Sequence, residues 1–302
     1  DYLTQGPIVP KFEQSVANYC GAAHAFAVNS ATSALHVACL ALELGQGDWL
    51  WTSPNTFVAS ANCGRYCGAS IDFVDIDPKT YNMSADALSE KLIEAKKVGK
   101  LPKIVVPVHF AGQPCDMPAI HDLSKHYGFK IIEDASHAIG ATYNQIKVGS
   151  CIHSDITVFS FHPIKIITTA EGGMALTNDK NIAAKLSRLR THGIISDKTK
   201  MEERPKDEIW NYQQIDLGFN YRMNDIQAAL GLNQLKRLDE YVKHRQEIAK
   251  FYNNALKNLP LVTPWCSPSN YSSYHLYTIL IKENLTQKTQ RQVYDELIKN
   301  DI

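Results

Sequence analysis

DITVFSFHPIKIITTAEGG, residues 155–173, is the stretch on which the architecture turns. Asp155 to Phe161 is rich in β-branched and aromatic residues and is short enough to be one buried strand. An apolar turn follows, in which Lys165 sits among Ile164, Ile166 and Ile167, and then Glu171-Gly172-Gly173. Lysine ordinarily keeps its ammonium group in water. Desolvation lowers its pKa from the usual value of about 10.4. A lysine so lowered can act as a Schiff-base nucleophile and proton carrier. The segment by itself also fits a lysine whose stem lies along a core edge while its head snorkels to solvent.

On either side of this stretch, strand and helix signals alternate. FKIIED (129–134), KIVVPVHF (103–110) and IDFVDI (71–76) read as strands. ATSALHVACLALEL places Leu35, Cys39 and Leu42 at helical spacing, with Ser30 or Thr32 available as the cap. DALSEKLIEAKKV carries Leu88, Leu92 and Ala95 on one face, and MPAIHDLSKHYG is a helix ended by Gly128. Strands separated by helices imply an α/β fold, with a mostly parallel central sheet covered by helices on both faces. Chemistry in such sheets collects at the carboxyl ends of the strands. Downstream, Ile226, Leu230, Leu235 and Leu238 are expected to share an apolar helical face, and a second helix runs from Val242 to Leu256. HLYTILI (275–281) and TQRQVYDELIKND then read as a strand and a helix, the start of a smaller C-terminal α/β domain that is incomplete at Ile302. The expected division is 1–240 and 241–302. The polar stretch from Ile195 to Tyr212 reads as a long, mobile loop.

Three further segments contain residues suited to chemistry. In KIIEDASHAIGA, Glu133 and Asp134 lie where a strand runs out. A carboxylate there can keep a pyridine nitrogen protonated, which makes the ring an electron sink. His137, three residues on, is a contact for such a ring or a structural histidine. In NSATSAL (29–35), small hydroxyl-bearing residues precede a helix, whose free N–H groups and dipole favour phosphate. Phe57, in the turn of TSPNTFVASAN, can stack on a flat ligand. Each segment also has an ordinary structural use, as a turn, a helix cap or core.

Bulk properties remove several classes. The 31 basic and 31 acidic side chains cancel, which argues against sequence-independent nucleic-acid binding. No apolar run approaches the roughly 20 residues needed to span a bilayer. The opening DYLTQGPIVP has neither a basic start nor an apolar core, so no signal peptide is read, and no initiator Met is present. Seven scattered cysteines do not form a disulfide framework, and no Cys/His set has metal-site spacing. They read as free, mostly buried thiols of a cytoplasmic protein.

Taken in order, LTQGP, NSATSAL, EDASHA, SFHPIK, TTAEGG and GFNYRMNDIQAALGLNQL resemble the blocks of the DegT/StrS family of pyridoxal-phosphate (PLP) sugar aminotransferases, over essentially the whole chain. The resemblance implies fold type I of the PLP-dependent transferases. It implies that Lys165 carries the cofactor, that Asp134 pairs with the pyridine nitrogen, and that His137 and Phe57 flank the ring. Ala31, Thr32 and Ser160 would hold the phosphate. Asn220 would reach the phosphate of a neighbouring subunit, which requires a homodimer with shared active sites. His162 is a catalytic candidate beside the lysine, and Asp1, Tyr2, Leu3 and Thr4 match a segment lining the sugar site. No metal is implied. Complete family members extend beyond both ends of this sequence.

Within the family, SSYHLY (272–277), SPNTFVASANC (53–63) and IWNYQQIDLGFNYRM (209–223) look closest to the members of pseudaminic-acid biosynthesis. Those aminate C4 of a UDP-linked 4-keto-6-deoxy-N-acetylhexosamine with glutamate as donor. Alternatives are a UDP-4-keto-pentose or dTDP-keto-sugar substrate for lipid A or O-antigen sugars, and a PLP-fold regulator or inactive fragment. The related sugar dehydratases carry His at the lysine position, so Lys165 favours transamination.

Overall fold

The computed structural model describes every residue except 1, 2, 5, 198, 200, 202–207 and 209. Much of the expected loop from Ile195 to Tyr212 therefore lies outside the described residues. A seven-stranded sheet carries the fold. Numbered along the chain, its strands are β1 (His24–Val28), β2 (Trp49–Thr52), β3 (Ser70–Phe73), β4 (Ile104–Val106), β5 (Lys130–Asp134), β6 (Ile156–Ser160) and β7 (Gly173–Thr177). Their order across the sheet is β1-β7-β6-β5-β4-β2-β3. The run from β3 to β6 is parallel throughout, and β7 is antiparallel to both β6 and β1. This is the mostly parallel α/β sheet that the strand–helix alternation predicts.

Both faces are covered, which is why β6 and β7 are buried along their whole length. The period-two alternation of a strand sends neighbours to opposite faces. Ile156, Val158 and Ala175 pack with α2 (Ala31–Ala41) and the helix Lys180–Leu189, while Phe159, Met174 and Leu176 pack with α1 (Ile8–Cys20). A third cluster joins Trp51, Val105 and Ile131 to Leu88, Leu92 and Ala95, the face predicted for the helix Ala85–Lys97. Each large side chain removed from water here contributes about 1.5–3 kcal/mol.

The helices Asp225–Leu235 and Leu238–Ala255 depart from expectation. The first buries Asp225, Ala228 and Gly231, while Ile226 and Leu230 are exposed. Gly231 is the reason: a Cβ there would lie 2.6 Å from the Phe12 ring and 2.7 Å from Thr169. The small-residue face docks on α1, and the apolar residues turn outward. Of the predicted strand 275–281, only Leu280–Ile281 is extended in a ladder, paired with Leu261–Val262. The helix beyond it forms over Gln290–Lys299.

Topology gathers the site. β2, β4, β5 and β6 share a direction, so Thr52, Asp134 and Ser160 end at one edge of the sheet. Antiparallel β7 begins at that edge, with Gly173 paired to both Ser160 and Val28. The chain leaving Val28 starts α2 there.

Candidate active site

Ser30 caps α2, its Oγ accepting the Ser33 N–H at 3.1 Å, which settles the choice between Ser30 and Thr32. The next N–H groups, at Ala31 and Thr32, belong to the first turn of the helix, where the dipole favours an anion. Gly173 lies against this helix start. A Cβ on it would sit 2.4 Å from the Ala31 nitrogen and 2.5 Å from the Ser30 carbonyl. A Cβ on Gly172 would be 2.1 Å from Thr169 Oγ1. The paired glycines after Glu171 are thus demanded by close approach of the chain on both sides.

Asp134, 4% exposed, ends β5. Its Oδ2 accepts the Ser60 hydroxyl at 2.6 Å, and its Oδ1 accepts the Ser136 hydroxyl at 2.6 Å and the Ser136 N–H at 3.1 Å. The carboxylate is therefore held by neutral donors. A buried carboxylate held this way is still open to a cationic partner. Glu133, its neighbour in sequence, points to the opposite face. There it accepts from buried His109 at 2.7 Å, from Thr157 at 2.9 Å and from Ser154. Burial alone would raise its pKa, and these hydrogen bonds outweigh burial and lower it. His109 Nδ1 accepts the Cys115 N–H at 3.1 Å, which leaves the ring proton on Nε2 for Glu133. Glu133 is a structural carboxylate, and Asp134 alone faces the site.

Lys165 lies half-buried in a turn closed by its own N–H to the His162 carbonyl at 2.9 Å. Burial lowers its pKa, and the negative charge of Asp134 opposes that shift. Ile166 and Ile167 are buried beside it, while Ile164 is exposed at the cavity mouth. His137 is pushed down to about 3 by burial and by the Lys165 charge, so its ring is neutral at ordinary pH. Its Nδ1 accepts the Ala111 N–H at 3.3 Å. The ring of His275 packs on it, with centroids 4.3 Å apart.

Asp134, His137, Ser160, Lys165, Ala31, Thr32, Phe57 and His162 line one cavity of about 250 Å³. His162 is exposed on its wall, 3.8 Å from the Glu171 carboxylate. Phe57 is 72% exposed. Asn220 is not in the cavity: it is exposed and bridges to Thr191. Leu3 and Thr4 lie beside the start of the helix at Asp225, where the Leu3 carbonyl accepts the Asp225 N–H. Neither lines the cavity. Asp1 and Tyr2 lie outside the described residues. Sequence reasoning gave no role to Ser60, Ser136 or His275. Ser136 had a signal, since an Asp two residues before a Ser is the pattern of a local side-chain turn. Ser60 and His275 come from distant segments and had none.

The cavity suits a phosphorylated pyridine. The start of α2 and Ser160 border the cavity with groups suited to an anion, and that helix start is reached so closely by Gly173 that a Cβ there would collide with the Ala31 nitrogen. Asp134 offers a buried carboxylate that would suit a protonated ring nitrogen, and Lys165 an amine of lowered basicity.

The model of the DegT/DnrJ/EryC1/StrS aminotransferase family matches residues 1–302. The UDP-4-amino-4,6-dideoxy-N-acetyl-beta-L-altrosamine transaminase of Campylobacter jejuni (strain 81-176) is 40% identical over 284 residues, 93% of this chain and 70% of that protein. The GDP-perosamine synthase of Caulobacter vibrioides is 40% identical over 294 residues, 97% of this chain and 74% of that protein. Among solved structures, Helicobacter pylori PseC, an aminotransferase of pseudaminic-acid biosynthesis, superposes with a TM-score of 0.88 at 33% identity. That match covers 99% of this chain and 76% of the PseC chain. Among the described residues, no helix is long and apolar enough to cross a membrane.

Proposed function

Because this chain belongs to the DegT/DnrJ/EryC1/StrS family of PLP-dependent sugar-nucleotide aminotransferases, we propose that Lys165 is its cofactor lysine and that it aminates C4 of a UDP-linked 4-keto-6-deoxy-N-acetylhexosamine, with glutamate as donor. The observation that carries the site assignment is the convergence of Lys165, Asp134 and the α2 start on one cavity. When bound, PLP supplies an electron sink for charge developing beside the transferred nitrogen.

The chain's own residues do the rest. Asp134 holds a proton on the ring nitrogen. The Ala31 and Thr32 amides and Ser160 bind the phosphate. His137 and Phe57 bound the ring, and the exposure of Phe57 leaves it free to meet an incoming ligand. Lys165 Nζ takes a proton from one carbon and returns it to another, and its lowered pKa favours the neutral form that can accept. His162 reaches the cavity from its exposed wall, with Glu171 as its carboxylate partner. Leu3 and Thr4, with Asp1 and Tyr2, are proposed to border the sugar. Cofactor binding is assigned to residues 1–240, and residues 241–302 are taken as the beginning of the smaller domain. All seven cysteines are unpaired, which supports a reducing compartment, the cytoplasm.

The homodimer is part of the same proposal. Asn220 is exposed and away from its own cavity, while Leu217, Ile226 and Leu230 expose apolar surface nearby in sequence. Asn220→Ala is expected to weaken PLP binding about tenfold, the loss of one phosphate hydrogen bond. Mixing Asn220→Ala with Lys165→Ala chains should restore one complete site per mixed dimer. Activity of the mixture no higher than that of the separate variants would refute shared sites.

The substrate is tested by a panel of UDP-, GDP- and dTDP-linked 4-keto and 3-keto sugars with mass-spectrometric detection of the amino product. The names of the two relatives above carry different nucleotides, so the GDP sugars are a necessary arm. Buried polar groups left unpaired by a wrong sugar cost about 1–3 kcal/mol each, so a preference of about tenfold or more for the UDP-N-acetylhexosamine is expected. Preference for a 3-keto sugar, a keto-pentose or a GDP sugar would overturn the substrate and leave the Lys165 assignment standing.

A further inference from the structure

His275 lies on a segment held with unusual care. The Arg245 guanidinium donates to the carbonyls of Tyr274 at 3.0 Å and His275 at 3.4 Å. Gln246 donates to the Ser272 carbonyl. The Ser273 hydroxyl donates to the His137 carbonyl at 2.8 Å, and the Ser273 N–H to the Gly112 carbonyl at 3.0 Å. Gly112, at φ +99°, has no room for a side chain: a Cβ would lie 2.5 Å from Ser273 Oγ and 2.9 Å from the His137 carbonyl. Tyr274, bulky and not glycine, is held at φ +44°. Strained backbone of this kind persists only where the surroundings over-determine it, and it clusters at functional sites.

These restraints fix the place at which the ring of His275 meets the ring of His137. His275 is 8% exposed, and its Nδ1 has no hydrogen-bond partner. The side chain therefore meets His137 as a packed ring, tilted by 39° to it. His137 lines the cavity and His275 does not, so His275 stands behind it.

We propose that His275 is a positioning residue for transamination, backing the His137 ring so that it presents a fixed face to the cofactor. This rests on the assignment of the cavity to PLP. The Ala111 N–H holds His137 at one ring atom, Nδ1, and the His275 ring, closer to it than Phe110 (centroids 4.3 Å against 6.3 Å), adds the packing restraint on its tilt. Without it, His137 turns, the cofactor loses a wall, and the atoms that exchange protons with Lys165 drift out of line.

The test uses the full chain loaded with PLP, as wild type and as His275→Ala, His275→Leu and His275→Phe. Visible circular dichroism of the bound cofactor reads how rigidly an asymmetric site holds it, and single-turnover reaction with L-glutamate reads the chemistry. His275→Ala and His275→Leu are expected to keep PLP but lose most of the visible dichroism. They should also slow the single turnover about ten- to a hundredfold, the scale of a misplaced reacting group, with half-saturating glutamate little changed. His275→Phe, which restores a flat ring, should recover both signals. Should His275→Ala fail to fold, His275→Leu fills the volume without a ring and gives the same reading. Wild-type dichroism in the Leu variant would reduce the role to packing and overturn the proposal, as would a Phe variant as impaired as Leu. Borohydride mapping of wild-type cofactor away from Lys165 would defeat the PLP assignment itself, and this proposal with it.

Discussion

Lys165→Ala protein is expected to bind PLP and yet transaminate at least about 10²–10⁴-fold more slowly than wild type, the range for a lost proton carrier. Binding should survive because the phosphate cradle and Asp134 are built from other segments, β1–α2, β5 and β6. The half-buried position of Lys165 also makes the substitution mild for the fold, since a polar head is removed and no core void is opened. Borohydride treatment of the loaded wild type should fix the cofactor to one peptide, the one containing Lys165, and treatment of the variant should fix it to none. Covalent label on another lysine, or an Ala variant within tenfold of wild type, would sink the assignment.

Asp134→Asn is the second large effect. It keeps the shape of the side chain and removes the charge, so under the proposed assignment a bound ring nitrogen loses its anionic partner. A fall in transamination of about 10²–10³-fold is expected, comparable to removing one preorganised electrostatic contact from a dry site. The amide oxygen can take the place of Oδ1 and accept the Ser136 N–H and hydroxyl, while the Ser60 hydroxyl turns to accept the new amide N–H, and the folded state should lose no more than about 1–3 kcal/mol. Thermal melts of the cofactor-free proteins separate the two consequences. A variant destabilised in proportion to its lost activity would mark Asp134 as structural. A melt close to wild type with activity gone supports the ring-nitrogen role.

Much of this site was legible because its parts are local. Asp134 closes a strand whose apolar run is plain, Lys165 follows the next strand within five residues, and the α2 start shows as a run of small hydroxyl residues. The order of those blocks gave the family. Long-range packing was harder to read. β1 is HAFAV and β7 is GMALT, short strands with alanines or an opening glycine, and neither stands out by β-propensity. Their place in the sheet comes from burial on both faces. Ile226 and Leu230 were expected inside because apolar residues at helical spacing usually are. The side that docks is the one small enough to approach Phe12, a fact that lives in the partner helix. Glu133 and Asp134 look alike in sequence, and strand alternation alone separates a structural carboxylate from one facing the cavity. His275 was invisible as a neighbour of His137, because the two meet only when distant segments close.

The abutment of Gly173 on Ser30 and Ala31 carries a thermodynamic consequence. The proposed anion cradle joins the exit of β1 to the entry of β7, segments far apart in the chain that meet only when these two strands pair. Partly folded states that lack that pairing have no cradle, so ligand affinity belongs to the completed sheet alone. Occupancy at a hundred times the dissociation constant then adds about 2.7 kcal/mol to the free energy of global unfolding. Amides of β1 and β7 should show the gain in hydrogen exchange as fully as those beside the ligand, so that saturation with a small phosphorylated ring tightens the whole sheet.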